Sequence, residues 1–310
     1  MILLRVRNDS LISDEENVQT ASSQQSSLKV SSLWMFALLS VVSLILWWPS
    51  LAATFSLALH DDQYTHILLI LPLSAALILL DWNSRDVAKN GSLLVAALMV
   101  VAVFADFAAL RVPTLGSDVR LSLQMLALVL WWIAGFALCF GARAFRNALF
   151  PLLFLLWLVP FPGFLVNAIV SFLQYSSAAS AHAIFFLARV PVEQRGLLIH
   201  IPDLTLEVAP ECSSIRSSLV LIVTTMVLAH LLLRSWWRKV VLIALAIPLA
   251  IVKNGLRIFV LGFLAIRVDR SYLAGRLHHE GGFIYFLIAL AGVIFVLWIL
   301  RSGKTNRPGI

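Results

Sequence analysis

The sequence predicts an all-α, polytopic integral membrane bundle of about eight transmembrane helices plus one interfacial helix. Of the 310 residues, 61% are hydrophobic and only 13% are charged, whereas about a quarter of the residues in soluble domains are charged. The mean hydropathy is +0.94. Apolar blocks follow one another from Leu33 to Leu300 without a long polar interruption. This continuity predicts a single membrane domain over residues 31–301.

The polar ends of the chain are predicted to be cytoplasmic tails, over residues 1–30 and 302–310. The first is rich in Ser, Gln and acidic residues, which predicts disorder. It lacks the apolar run and the small-residue cleavage site of a signal peptide. The net charge of +7 does not indicate nucleic-acid binding, because Lys and Arg gather at the ends of apolar blocks and form no basic stripe with interleaved aromatics.

The membrane crossings are predicted from apolar blocks, since about 20 apolar residues cross the hydrocarbon core. The stretch 164–189 is less apolar, because Gln174, Ser180 and His182 interrupt it. It is predicted to be an interfacial or protein-packed helix, surrounded by membrane lipid and protein. The eight predicted crossings cover residues 33–55, 66–80, 93–110, 121–141, 147–163, 214–233, 240–264 and 282–300.

Basic residues predict the orientation of these crossings, because Lys and Arg in short loops favour the cytoplasm. The strongest anchors are the pair Arg143 and Arg146 and the cluster Arg234, Arg238 and Lys239. They predict a cytoplasmic N-terminus and an external loop over 190–212. Three arginines run against this trend and would face outward: Arg267, Arg270 and Arg276.

The chain has two cysteines, Cys139 and Cys212. The sequence contains no CxxC and no zinc-type spacing, so we expect neither a metal nor another cofactor. The orientation places the two cysteines at opposite sides of a core about 30 Å thick, and a disulfide needs Cα atoms within about 7 Å. Cys212 is therefore predicted to be a free thiol on the oxidising side of the membrane.

Three polar clusters are predicted to lie at the same outer depth: "ECSSIR" (211–216), "KNGLR" (253–257) and "LHHEGG" (277–282). A nucleophilic cysteine must be a thiolate. Cys212 precedes a predicted helix start, where unpaired backbone N–H groups would lower the pKa of its thiol. The forked guanidinium of Arg257 suits an oxyanion or a substrate carboxylate.

A histidine in the third cluster would carry the proton that thiol chemistry moves, and both His278 and His279 are candidates. Two of the clusters also have a structural interpretation: Arg257 as a snorkelling interfacial residue and the histidine as an ordinary hydrogen-bonding group. The HHEGG spacing lacks the HExxH pattern of zinc peptidases. Two other functions stay open, a transporter with Lys253 and Arg257 on its path and a non-catalytic factor for surface polysaccharide or protein export.

The segments "ECSSIRSSL", "NGLRIF" and "HHEGGFIYF", in this order, resemble the exosortase/archaeosortase family of membrane cysteine transpeptidases. An earlier segment, "DDQYTHILLILPL" (61–73), resembles the family's Tyr-Ser-His-Gly stretch with its apolar run and proline. The resemblance covers about residues 35–300. It departs from the family pattern at three positions, where Ser214 replaces glycine, Thr65 replaces serine and Ile67 replaces glycine.

The resemblance implies a function at the outer face of the inner (plasma) membrane. It implies cleavage of C-terminal sorting tails of the PEP-CTERM type on exported proteins, through a thioester on the cysteine, with polysaccharide-export components as possible partners. The family's histidine is followed by glycine and an aromatic, a spacing that selects His278. The implied catalytic residues are Cys212, Arg257 and His278, and the implied supporting residues are Arg216, Asn254, His279, Tyr64 and His66.

Overall fold

The computed structural model describes residues 30–80, 93–112, 114–209, 215–269, 271 and 282–302. Contacts within the chain divide it into two compact units. Unit 1 consists of Met1–His60 and Ile67–Phe161, and unit 2 consists of Asp61–His66 and Pro162–Ile310.

Unit 1 contains six of the described α-helices and one short 3₁₀ helix. Its longest helix, α5, carries more buried residues than any other described helix of the unit. Phe136 and Phe140 on α5 pack against Phe36 with ring centroids 5.7–5.8 Å apart. Gly141 interrupts the helical geometry of α5 with a φ of 82°, which glycine adopts without a steric penalty. The helices are α1 (Val30–Leu46), α2 (Trp48–His60), α3 (Ile67–Leu80), α4 (Leu93–Arg111), α5 (Ser117–Asn147) and α6 (Leu149–Phe154), and the 3₁₀ helix is Leu155–Leu158.

The described part of unit 2 contains four long α-helices, a 3₁₀ turn and a small sheet. Helix α9 is central, because α7, α8 and α10 all pack against it. The 3₁₀ turn Asp62–Tyr64 contacts α8. The helices are α7 (Gly163–Leu187), α8 (Ile215–Leu232), α9 (Trp236–Arg267) and α10 (Gly282–Ser302), and the strands are β1 (Glu193–Arg195), β2 (Leu198–Ile201) and β3 (Leu204–Glu207).

The sheet of unit 2 is an antiparallel meander in the order β1-β2-β3, where the sequence predicted only a loop. Its inner face packs Ile199 and Ile201 into a core with Phe185 of α7 and Ile258 of α9. Pro202 and Asp203 make the turn between β2 and β3, with Asp203 at a φ of 61°. A loop was predicted because these strands are only three or four residues long, and windows of that length carry little signal.

The predicted class, a helical membrane protein, is confirmed. The number of membrane-spanning helices is supported only as a range. Six described helices are long and apolar enough to cross a membrane, or up to seven if the pair α1 and α2, bent by 75°, is one span. The predicted crossing over 147–163 is not a long helix, because prolines at 151, 160 and 162 leave only the short apolar stretch Leu149–Leu158. Helix α7 is among the six, so its interfacial position and the number eight stay predictions.

Candidate active site

Three of the predicted site residues, Cys212, His278 and His279, lie outside the described residues. The structure describes the chain on either side of them. Before Cys212 it ends at Ala209, and after it begins again with α8 at Ile215. After the histidines it begins again with α10 at Gly282.

The chain that leads to Cys212 is held on α7. Val208 is buried, and its N–H donates to the carbonyl of Leu197 at 3.0 Å. The carbonyl of Val208 accepts a buried hydrogen bond from Nε2 of Gln174, on α7, at 2.8 Å. The backbone is thereby fixed four residues before the predicted nucleophile.

The first turn of α8 is held from two sides. Arg216 donates from Nη1 to Oδ1 of Asp62 at 2.6 Å, which joins the 3₁₀ turn of the "DDQYTH" stretch to α8. Tyr64 and His66 in the same stretch are both buried. The next residue of α8, Ser217, accepts a hydrogen bond at its Oγ from Nζ of Lys253 on α9.

Helix α9 places a polar row inside unit 2. Lys253 is 4% exposed and Asn254 is 1% exposed. Nδ2 of Asn254 donates to Oγ of Ser177 on α7 at 2.9 Å. Beside them, Gly255 lets α9 approach α7 closely, because a Cβ at that position would lie 2.6 Å from Cβ of Ser180 and 2.9 Å from the backbone nitrogen of Ala181.

Arg257 lies one helical turn after Lys253 and is partly buried. It interacts electrostatically with Lys253 and with Tyr285 in the first turn of α10. Residues 253–257 of α9 therefore reach α7, α8 and α10, and two of these helices begin directly after the stretches that carry Cys212 and His278. A guanidinium at this position can stabilise a negative charge that develops beside it.

The structure joins Arg216 to the "DDQYTH" stretch through Asp62. Tyr64 and His66 are buried in that stretch, and Asn254 and Arg257 lie on α9. Sequence reasoning assigned no role in this site to Asp62, Lys253, Ser217 or Gln174. For Lys253 a signal was present, since a lysine inside an apolar helix needs a polar partner. For Asp62 and Gln174 the partners are distant in sequence, and nothing local identified them. Among the described residues, no three His, Cys, Asp or Glu side chains come together as a metal site.

Comparison with known proteins gives one family. The model of the transmembrane exosortase family matches residues 48–295, which is most of the chain. Comparisons with curated proteins and with solved structures give no match. The matched range contains the "DDQYTH" stretch, the start of α8 and the polar row of α9. The chain therefore belongs to the transmembrane exosortase family.

Proposed function

We propose that this protein is a membrane cysteine peptidase or transpeptidase that cleaves C-terminal sorting tails of the PEP-CTERM type from exported proteins. Cys212 is the nucleophile, Arg257 stabilises the oxyanion and His278 transfers the proton. Arg216, Asn254, His279, Tyr64 and His66 support the site. The reaction takes place at the outer face of the plasma (inner) membrane.

The observation that carries this proposal is that residues 253–257 of α9 contact the first turns of α8 and α10. Ile215 follows Cys212 by three residues, a length of chain that spans at most about 11 Å. Gly282 follows His278 by four residues, or at most about 14 Å. The first turn of α8 binds Lys253, and the first turn of α10 contains Tyr285, which interacts with Arg257. Cys212 is therefore a short chain segment away from the helix start that binds Lys253, and His278 is a short segment away from the helix start that contains Tyr285.

The length of α9 supports a site at the membrane surface. Trp236 and Trp237 at its start are exposed, as is typical of residues at a membrane interface. Arg257 lies 21 positions after Trp236, about 32 Å along a helix that rises 1.5 Å per residue. The hydrocarbon core is about 30 Å thick. With the basic start of α9 at the cytoplasmic face, Arg257 lies at the outer boundary.

The reaction proceeds in two steps, formation of a thioester and its cleavage. The Cys212 thiolate attacks the carbonyl carbon of the scissile peptide bond, so that a C–S bond forms and an oxyanion develops beside the guanidinium of Arg257. The C–N bond then breaks, and the leaving amine takes a proton from the His278 imidazolium. Water or an amine attacks the resulting thioester, loses its proton to His278 and releases the thiolate.

This arrangement fits a substrate that is itself anchored by a membrane helix. Such a tail presents its scissile bond where the helix leaves the bilayer, so the thiol must lie at the same depth. The bonds of Arg216 to Asp62 and of Lys253 to Ser217 hold the first turn of α8 against the rest of unit 2.

The direct test is mass spectrometry of a tailed protein that is co-expressed with the enzyme. Cys212→Ala, Arg257→Ala and His278→Ala are each expected to leave the tail uncleaved while the protein stays in the membrane. The matched control is Cys139→Ala, because Cys139 is buried on α5 in unit 1 and is expected to be dispensable. Normal processing by Cys212→Ala would overturn the proposal, and a thioester trapped on Cys212 would support it.

Thiol labelling separates the enzyme from a non-catalytic export factor. In the Cys139→Ala background, an impermeant alkylating reagent is expected to label Cys212 in intact cells, with an apparent pKa well below the ordinary 8.5. Resistance to labelling at every pH would favour the export factor. A transporter would instead show solute uptake that depends on Lys253 and Arg257 but not on Cys212.

A further inference from the structure

We infer that Lys253 and Ser217 form a positioning pair that sets the distance between Arg257 and the start of the helix that follows Cys212. The inference rests on the proposed function and adds two residues to it. Lys253 is on α9, one turn before Arg257, and Ser217 is on α8, five residues after Cys212. Their hydrogen bond joins the two helices.

The burial of Lys253 is the first argument for this role. Its side chain is 4% exposed, and an amino group in such surroundings is costly unless a hydrogen bond compensates. Among the described residues, Ser217 is the group that receives its hydrogen bond. A purely packing role at this position would be filled at lower cost by leucine or methionine. The hydrogen bond to Ser217 therefore compensates for the burial of this amino group.

The second argument is the position of the pair within α9. Residues 253 and 257 are one turn apart and lie on the same face of a helix. The residue between them that packs most tightly, Gly255, fixes α9 against α7, and Asn254 bonds to the same helix. Lys253 is the member of this row that binds α8. Without it, α9 keeps its contact with α7 but loses the polar tie to the first turn of α8.

The expected consequence concerns the chemical step. A shift of about 1 Å between reacting groups can lower the rate by up to about 100-fold. If the pair positions Arg257 relative to the start of α8, its loss lowers kcat and leaves KM nearly unchanged, because the substrate is bound by its own tail and helix. A pair that only stabilises the fold would change the amount of folded enzyme but not the kcat of the folded fraction.

The test measures kcat and KM for tail cleavage by the full-length enzyme in lipid vesicles, per mole of folded protein. Ser217→Ala and Lys253→Met are each expected to lower kcat by about 10- to 100-fold, whereas Ser217→Thr, which keeps the hydroxyl, retains most of the activity. The kcat of the double variant is expected to equal that of the less active single variant, because both substitutions remove the same hydrogen bond. The matched control is Thr225→Val, whose hydroxyl donates to the carbonyl of Leu221 within α8. Its kcat is expected to equal that of the wild type.

Each outcome decides the question. Wild-type kcat in Ser217→Ala, or losses that multiply in the double variant, would overturn the positioning pair. If Lys253→Met does not fold, the comparison of Ser217→Ala with Ser217→Thr decides by itself. Cys212→Ala is measured in the same assay. If it is inactive and Ser217→Ala is fully active, only the positioning pair is overturned, whereas an active Cys212→Ala overturns the proposed function and the pair together.

Discussion

Arg216 and Asp62 are 154 positions apart in the sequence and form an ion pair with an Nη1–Oδ1 distance of 2.6 Å. The pair ties the "DDQYTH" stretch to the first turn of α8. Its side chains are 58% and 78% exposed, so its contribution to the free energy of unfolding is expected to be about 1 kcal/mol or less. We therefore expect this ion pair to position the start of α8 and to add little to the free energy of unfolding.

We expect Asp62→Asn to lower the rate of tail processing several-fold without a measurable change in Tm. The rate is measured on a co-expressed tailed substrate. The matched control is Glu193→Gln, which removes the exposed pair of Glu193 with Arg195, a contact of 2.8 Å on the sheet. Processing by Asp62→Asn at the wild-type rate would contradict the prediction.

Gly255→Ala is expected to destabilise unit 2 by about 1–3 kcal/mol, because the new methyl group would overlap Ser180 and the backbone of α7. The measurement is the free energy of unfolding in detergent. Gly292→Ala on α10 is the matched control, since its Cβ would meet only the end of the flexible Leu249 side chain at 3.3 Å. That variant is expected to be neutral or slightly stabilising, and equal effects of the two substitutions would refute the close approach of α9 to α7.

Gln174→Met is expected to cost about 1–3 kcal/mol, because it leaves the buried carbonyl of Val208 without its donor. Hydrogen exchange of the backbone around residues 204–209 should become faster, and tail processing should fall with it. Gln194→Met is the comparison, because Gln194 bonds to the carbonyl of Gly196 at an exposed position. Its effect should be within about 0.5 kcal/mol. Unchanged exchange at 204–209 in Gln174→Met would show that this bond does not hold the chain.

Ile199→Ala is expected to cost about 2–5 kcal/mol, since Ile199 is fully buried between the sheet and α7. Leu198→Ala, at the neighbouring position on β2, should cost far less, because Leu198 is 39% exposed. Positions 198 and 199 are neighbours on β2, so their side chains point to opposite faces of the sheet. Similar losses of Tm in both would contradict the packing of β2 on the helices.

Hydropathy was sufficient to predict most of the helices of this protein, because a membrane-spanning helix needs a long apolar run and such runs are visible in the sequence. The predicted blocks at 66–80, 93–110, 214–233 and 282–300 lie within one or two residues of α3, α4, α8 and α10. The block at 147–163 failed because apolar composition does not reveal that prolines shorten the helix. The sheet was missed because its strands are too short to stand out.

The candidate site was predicted in part. Motif residues that follow or precede helix ends, such as Arg216 and Arg257, were identified because polar groups in an apolar chain are conspicuous. Their partners were not, because the bond between Lys253 and Ser217 and the pair of Arg216 with Asp62 join distant segments. Such pairings depend on how helices pack. A lysine or arginine in an apolar helix indicates that a polar partner exists, but the sequence does not indicate which residue it is.

The length of α9, 32 residues, sets a fixed distance between its two ends. About 32 Å separates the tryptophans at its start from Arg257, and this distance is fixed by the protein, whereas the distance that a tail's own anchor spans adapts to the lipid. In a bilayer several ångströms thinner, α9 must tilt or its far end must rise into the water. If the protein has the proposed function, its site and the scissile bond would then lie at different depths, and the acyl-chain length of the membrane would determine which tails are cut.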